Sequence, residues 1–317
     1  MITVLTGGTG GAKFIDGLRR IVPPEELTIV VNTGDDHPWW GLHVSPDIDS
    51  ITYLLSGRLS AERGWGVRGD TFHCLQQMKE LGEETWFSVG DRDLATHLLR
   101  TKLLAQGSTL SQATRNIAER LGVKHRIFPM SDQRVETRVH TRSGEFAFEE
   151  YFVKRGYQDA VESVSFAGAS ECEPAPGVLE AIASASAVLL APSNPVTSIG
   201  PILAVPGIRD ALRTSSAPLV AVSPIIQTAA VSGPAAALMQ AQGLESSIAG
   251  VANAYGDFLD ILLVDESDAE FAKTVKVGKL RIHCAGILMR TTEDRTRIAS
   301  TALSLACPEM IQEQAAG

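Results

Sequence analysis

A doubly wound α/β fold is what this 317-residue sequence predicts, with a mostly parallel, Rossmann-like sheet, a helical insertion and a small hairpin region. Three observations carry that expectation. Short apolar runs of strand length recur along the chain, helical patterns lie between them, and a glycine-rich turn joins the first run to the first helix. The runs are ITVLT at 2–6, LTIVVNT at 27–33, AVLLAPS at 187–193, APLVAVSP at 217–224 and FLDILLVD at 258–265. Such near-continuous apolar runs suit strands covered on both sides. Helical periodicity at 13–22, 48–55, 206–212 and 235–241 supplies the crossovers of a parallel sheet.

The middle of the chain reads differently. TFHCLQQMKELG, DRDLATHLLRTKLLAQG and LSQATRNIAERLG follow one another between 70 and 125 as three helices. Short alternating segments from 126 to 166 suggest a hairpin with Ser143-Gly144 at its turn. The expected organisation is a core of residues 1–69 and 167–317, interrupted by a mainly helical insertion with a hairpin at 70–166. The Ala/Gln-rich C-terminus is expected to fray.

Hydrophobic residues make up 44% of the chain, enough for a sizeable core, and the net charge of −9 argues against nucleic acid or an anionic membrane as partner. Any polyanion bound must be small. The four cysteines, Cys74, Cys172, Cys284 and Cys307, lack zinc-site spacing and read as reduced, mostly buried thiols. With no leader or membrane-length run, the chain is expected in the cytoplasm.

Gly7, Gly8, Thr9, Gly10 and Gly11 follow the first strand and run into a helix bearing Lys13. A helix N-terminus gathers unpaired N–H groups, and glycine lets an anion approach the backbone. A tight structural turn explains the glycines equally. The spacing fits neither the Walker A loop nor a strict dinucleotide fingerprint. The second strand ends in NTGDDHPWWGLHVSPDIDS, which places Asp35, Asp36, Asp47 and Asp49 within fifteen residues. Brought together, four carboxylates repel, and a hard cation such as Mg²⁺ shared with phosphates resolves that repulsion. The plainer alternative is that Asp47 or Asp49 caps a helix and the rest are solvated. His37 and His43 read as packing groups or partners of the acids, and Trp39 and Trp40 as core aromatics or a stacking platform.

In GDRD, Asp91 or Asp93 can cap the helix that follows, while Arg92 suits a phosphate or a polar ring edge. His97 and Arg100 face either a cleft or solvent. Two later strands end in polar turns, Ser193-Asn194-Pro195 with Thr197-Ser198, and Ser223-Pro224 with Ser232-Gly233, which can clasp a nucleotide without adding charge. No G-x-S-x-G elbow is present, which disfavours serine-hydrolase chemistry.

Together the glycine turn with Lys13, NTGDD, SPDIDS, GDRDLATHLLRT, PMSDQRVET, APSNPVTSIGPIL and SPIIQTAAVSGPA resemble the 2-phospho-L-lactate transferase family of deazaflavin coenzyme biosynthesis. The resemblance spans residues 2 to about 265. It implies Mg²⁺-dependent transfer of a phosphorylated three-carbon acid from a guanosine diphosphate conjugate to the terminal ribityl hydroxyl of 7,8-didemethyl-8-hydroxy-5-deazariboflavin, releasing GMP. It further implies deazaflavin contacts at Asp49 and Arg92, with the insertion contributing to that pocket. Nucleotide and donor phosphates fall on the glycine turn, Asn194 and Ser198, with Asp35, Asp36 and Asp47 as metal candidates. Asp49 and Asp36 are the implied catalytic acids, and a homodimer is the expected assembly. Ser50 stands where the family often has threonine, and Gln227-Thr228 occupies a variable position. The competing classes are a nicotinamide-type oxidoreductase, with Asp35 on the ribose, and a non-catalytic guanine-nucleotide-binding regulator.

Overall fold

Apolar side chains that alternate between two covered faces build the centre of this protein. The computed structural model describes residues 1–308 apart from Thr228 and Ser232. The Ser232-Gly233 turn and the Gln227-Thr228 pair therefore fall partly, and the Ala/Gln-rich tail largely, outside the described residues. Strand β1 (Ile2–Thr6) leads through α1 (Gly8–Leu18) to β2 (Leu27–Val31). A hairpin of β3 (His37–Trp39) and β4 (Leu42–Val44) precedes α2 (Pro46–Leu55). Helices α3 (His73–Glu80), α4 (Asp91–Ala105) and α5 (Leu110–Arg120) follow, then β5 (Arg126–Pro129). Next come β6 (Glu136–Thr141), β7 (Gly144–Ala147), β8 (Val161–Ala167) and α6 (Val178–Ala183).

The second half alternates again: β9 (Ala187–Leu190), α7 (Ile199–Ala204), α8 (Ile208–Thr214) and β10 (Leu219–Val222). A two-residue pair, β11 (Ile225–Ile226) and β12 (Ala229–Ala230), leads to α9 (Ala235–Ala241), α10 (Ile248–Tyr255) and β13 (Ile261–Val264). The chain then forms α11 (Ala269–Ala272), β14 (Arg281–Cys284) and α12 (Thr292–Ala306). Among the described residues no helix is long and apolar enough to cross a membrane.

Seven strands form one parallel sheet in the order β14-β13-β10-β9-β1-β2-β5. Ile2, Val4, Leu189 and Leu263 point to the layer of α1, α2, α5 and α12, whereas Leu5, Val188, Leu190 and Leu262 point to the layer of α6 to α10. Both faces are thus dry, as the unbroken apolar runs require. Gly17 brings α1 against α12: a Cβ there would lie 2.1 Å from the Arg295 carbonyl. Asp16 of α1, buried, pairs with Arg19 at 2.7 Å and Arg295 at 3.0 Å, which fixes the same contact electrostatically.

Chain direction across the sheet reverses between β1 and β9. One branch runs outward through β2 and β5, the other through β10, β13 and β14. Open α/β sheets hold ligands outside the strand C-termini at such a switch point.

Several sequence expectations change. The span 70–166 contains α3, α4 and α5 as expected, yet β5 within it is an edge strand of the central sheet. Ile127 is buried there, but the four-residue strand is too short to show a buried run. The hairpin turn falls at Arg142-Ser143, because Thr141 pairs with Gly144. Strand β14 and helix α12 carry too weak a sequence pattern to be anticipated; β14 alternates exposed and half-buried residues at the other sheet edge. All four cysteines are free, but only Cys172 is buried.

Candidate active site

At the switch point a cleft of about 720 Å³ opens over the C-terminal ends of β1 and β9. Gly7, Gly8, Thr9, Gly10 and Lys13 line it from one side, with Ser193, Asn194 and Ser198 beside them. Packing shapes this turn. Gly7 N–H donates to Ser193 Oγ at 3.2 Å, and that hydroxyl donates to the Gly7 carbonyl at 2.6 Å. Gly8 has a φ of +68°. A Cβ on Gly10 would meet the Pro192 carbonyl at 2.5 Å, and one on Gly11 would meet Thr6 Oγ1 at 2.0 Å. Gly11 is buried and serves the approach of α1 to β1; it does not line the cleft. Asn194 Oδ1 accepts from Val196 N–H at 2.9 Å, so part of that side chain holds its own turn. Lys13 is exposed, and among the described residues no acceptor engages its ammonium group.

The acids gather on the adjoining wall. Asn32, at the end of β2, donates to Asp35 Oδ2 at 3.0 Å, Asp47 Oδ2 at 3.0 Å and the Thr197 carbonyl at 3.3 Å. Asp47 Oδ1 accepts Gly8 N–H at 2.6 Å. This charge-assisted bond ties the start of α2 to the glycine turn. Asp36 Oδ2 accepts from Ser45 Oγ at 2.6 Å and lies 2.9 Å from His43 Nε2. Neither Asp47 nor Asp49 caps α2, whose N-cap is Ser45. Among the described residues, one oxygen each of Asp35 and Asp36 is buried without a hydrogen-bond partner.

A fourth carboxylate, Glu149, comes from the insertion, one residue before a π-helical turn over Glu150–Lys154. Sequence reading missed it: nothing about FEEY marks a buried acid, and the only signal was its apolar setting. Burial, then the negative charges of Asp47 and Asp36, raises the Glu149 carboxyl to about 8. Burial raises Asp47 to about 6 and moves Asp35 and Asp36 upward as well. The wall is therefore short of positive charge.

Asp49 sits apart from that shortage. Arg100, wholly buried on α4, donates through Nη1 to Asp49 Oδ2 at 3.0 Å and through Nη2 to Asp49 Oδ1. Its Nη1 also reaches the His43 carbonyl at 3.3 Å. His97 lies between two acids, 3.5 Å from Asp49 Oδ2 and 3.4 Å from Asp93 Oδ1, while Tyr53 donates to Asp93 at 2.8 Å. Asp49, Asp93 and His97 offer ligand atoms all within 4.8 Å of one another, an arrangement able to hold a metal ion. Arg100 already supplies a positive charge there.

Arg92 is exposed, points toward the Arg68 carbonyl at 3.4 Å, and does not line the cleft. The caps around it are exchanged: Asp70 accepts Arg92 and Asp93 N–H at the start of α4, and Asp91 accepts His73 and Cys74 N–H at the start of α3. Trp39 packs edge-on against Trp86 at 4.8 Å, and His37 against Phe87 at 4.5 Å, so these aromatics form a side core. Burial lowers the His37 imidazole to about 4. Trp65, Phe148, Phe152 and Val153 make the apolar part of the cleft.

A parallel α/β sheet with a cleft at its switch point, a glycine turn on one wall and buried acids on the other define a doubly wound α/β protein with its ligand site at the strand C-termini. Sequence comparison narrows the class. A model of the family described as 2-phospho-L-lactate transferase CofD matches residues 2–291. The 2-phospho-L-lactate transferase of Methanosarcina mazei is 44% identical over 301 residues, covering 93% of this chain and 97% of that one. The phosphoenolpyruvate transferase of Streptomyces coelicolor is 42% identical over 311 residues, covering 96% and 98%. Among solved structures, a UPF0052-family protein of Bacillus halodurans shares the fold, with a TM-score of 0.65 at 17% identity over 95% of this chain and 98% of its own. The chain belongs to the 2-phospho-L-lactate transferase family and is a transferase of that type.

Proposed function

We propose that this enzyme transfers a phosphorylated three-carbon acid from a guanosine diphosphate conjugate to the terminal ribityl hydroxyl of the deazariboflavin, releasing GMP. The observation that supports this beyond family membership is one cleft with Gly7, Gly8, Thr9, Gly10 and Lys13 on one wall and buried acids on the other. The N–H groups of Thr9 and Gly10 at the start of α1, together with Lys13, receive the donor's phosphates, the Gly7 and Gly8 N–H groups being held by Ser193 and Asp47. Trp65 and Phe148, the latter backed by Phe152 stacked at 5.5 Å, line the cleft where a flat heteroaromatic acceptor can lie against a ring. Asp49, clamped by Arg100, accepts a hydrogen bond from the acceptor and fixes its approach. Arg92 lies outside the cleft lining, 3.4 Å from the Arg68 carbonyl.

Asp35 and Asp47, both lining the cleft and both held by Asn32 Nδ2 at 3.0 Å, are the acids that would meet a hard divalent cation. Mg²⁺ bound there would neutralise charge on the diphosphate. Asp36 lies outside the cleft lining, engaged with Ser45 and His43, while Asp49, Asp93 and His97 offer three ligand atoms within 4.8 Å as a second place for an ion. A cytoplasmic homodimer is the assembly expected of such an enzyme, and sedimentation equilibrium of the purified chain checks it.

Relatives named for phospholactate and for phosphoenolpyruvate are about equally similar to this chain, so the donor's three-carbon unit is assigned by experiment. Purified enzyme is incubated with the deazariboflavin, Mg²⁺ and the phospholactate, phosphoenolpyruvate or phosphoglycerate conjugate, following GMP release and product mass. One productive donor is expected. Failure of all three to release GMP, with no binding of the deazaflavin, overturns the proposal.

A further inference from the structure

Five carboxylates line the cleft: Asp35, Asp47, Asp49, Asp93 and Glu149. Four are engaged by donors of the protein itself. Asn32 holds Asp35 and Asp47, Arg100 holds Asp49, and Tyr53 holds Asp93. Glu149 is 9% exposed and, among the described residues, receives no hydrogen bond or ion pair. Its carboxylate opens on the cleft, and π-type turns recur at functional sites. Phe148 and Phe152, on either side of it in sequence, also line the cleft and stack on each other at 5.5 Å, which places Glu149 on the apolar, acceptor side.

Resting on the transferase function proposed above, we infer that Glu149 is the general base of the reaction: it takes the proton of the acceptor's primary hydroxyl as that oxygen attacks. The oxygen forms a new bond to the phosphorus that carries the three-carbon acid. The bridging P–O bond breaks, and GMP leaves with the electron pair. The proton rests on a Glu149 oxygen and passes to solvent when products leave. Asp49 is already committed, since Arg100 occupies both of its oxygens through Nη1 and Nη2. Glu149 has no such partner among the described residues and opens on the cleft beside Phe148 and Phe152. Asp35 and Asp36, after β2, and Asp47, on α2, are the charged groups facing it.

The test uses the full enzyme with both substrates, comparing wild type with Glu149→Gln and Glu149→Asp. For Glu149→Gln, kcat is expected to fall by about 10²–10⁴-fold. KM for donor and acceptor should stay within about threefold, and the acid limb of the wild-type pH profile should disappear. Glu149→Asp keeps the charge but sets it back, so it should give an intermediate kcat with the limb retained, and it stands in if the glutamine variant does not fold. Mn²⁺ binding to the substrate-free variants, followed by electron paramagnetic resonance, should match wild type. Full kcat in Glu149→Gln refutes the inference. So does loss of Mn²⁺ binding alongside activity, which would make Glu149 a cation ligand. If wild type itself turns over no donor, the transferase proposal fails first and the base falls with it.

Discussion

Replacing Arg100 with methionine removes the partner of a carboxylate with almost no access to water. The side chains of Arg100 and Asp49 are 0% and 6% exposed. Breaking a buried pair on one side costs about 3–5 kcal/mol, because the remaining charge is left uncompensated. At about 2.1 cal/mol/K of unfolding entropy per residue, that loss lowers the midpoint of this 317-residue chain by roughly 5–8 °C. Asp49→Asn should cost less, since an amide still accepts from the guanidinium. The double variant, Asp49→Asn with Arg100→Met, should recover part of the sum, giving a coupling of about 1–3 kcal/mol. Differential scanning calorimetry of the four proteins at one pH reads all of this. Arg100→Met melting within 1 °C of wild type, with additive variants, would refute the view that the pair is a buried element joining α4 to α2. The same variant should also lose acceptor affinity, because Asp49 then keeps only His97, at 3.5 Å, as a nearby donor.

The acid wall predicts an unusual stability profile. Glu149, raised from 4.5 to about 8, and Asp47, raised from 3.8 to about 6, bind more protons folded than unfolded, so stability is full below about pH 4 and falls as pH rises toward 8. The drop is on the order of several kcal/mol. Mg²⁺ should restore about 2.7 kcal/mol at a hundredfold excess over its dissociation constant. Urea melts from pH 5 to 8, with and without Mg²⁺, test both points, and metal-independent, flat stability contradicts them. At the glycine turn, Gly10→Ala drives a methyl into the Pro192 carbonyl at 2.5 Å, where backbone cannot yield. A loss of about 1–3 kcal/mol and a rise in donor KM are expected by thermal melting and initial rates. Wild-type values for both would show that the turn has slack.

The sheet was legible because burial on both faces writes itself into unbroken apolar runs, as in β1, β2 and β9. β14, a sheet edge with exposed alternate residues, leaves no such trace. The acids after β2 and the turn after β1 were readable from their place at strand ends, and the structure brings them together through the bond from Gly8 to Asp47. Their partners were not. Arg100 lies on a helix whose exposed and buried faces both carry charge, so only tertiary packing reveals which face Asp49 meets. Glu149 was hidden for the same reason, since its neighbours Glu145 and Glu150 point the eye to a solvated hairpin. The choice of caps failed too, because Asp91 and Asp70 each serve the helix that the other precedes or begins.

Asn32 spends one small amide on three stretches of chain: its oxygen takes Gly34 N–H at 2.8 Å while its nitrogen reaches Asp35, Asp47 and Thr197. It works as a keystone does in an arch, where each stone is held by the others' lean and one block sets the curvature of all. Loops around such a block can drift in sequence without changing the shape of the opening. A single exchange at Asn32, by contrast, is felt at once on both walls of the cleft.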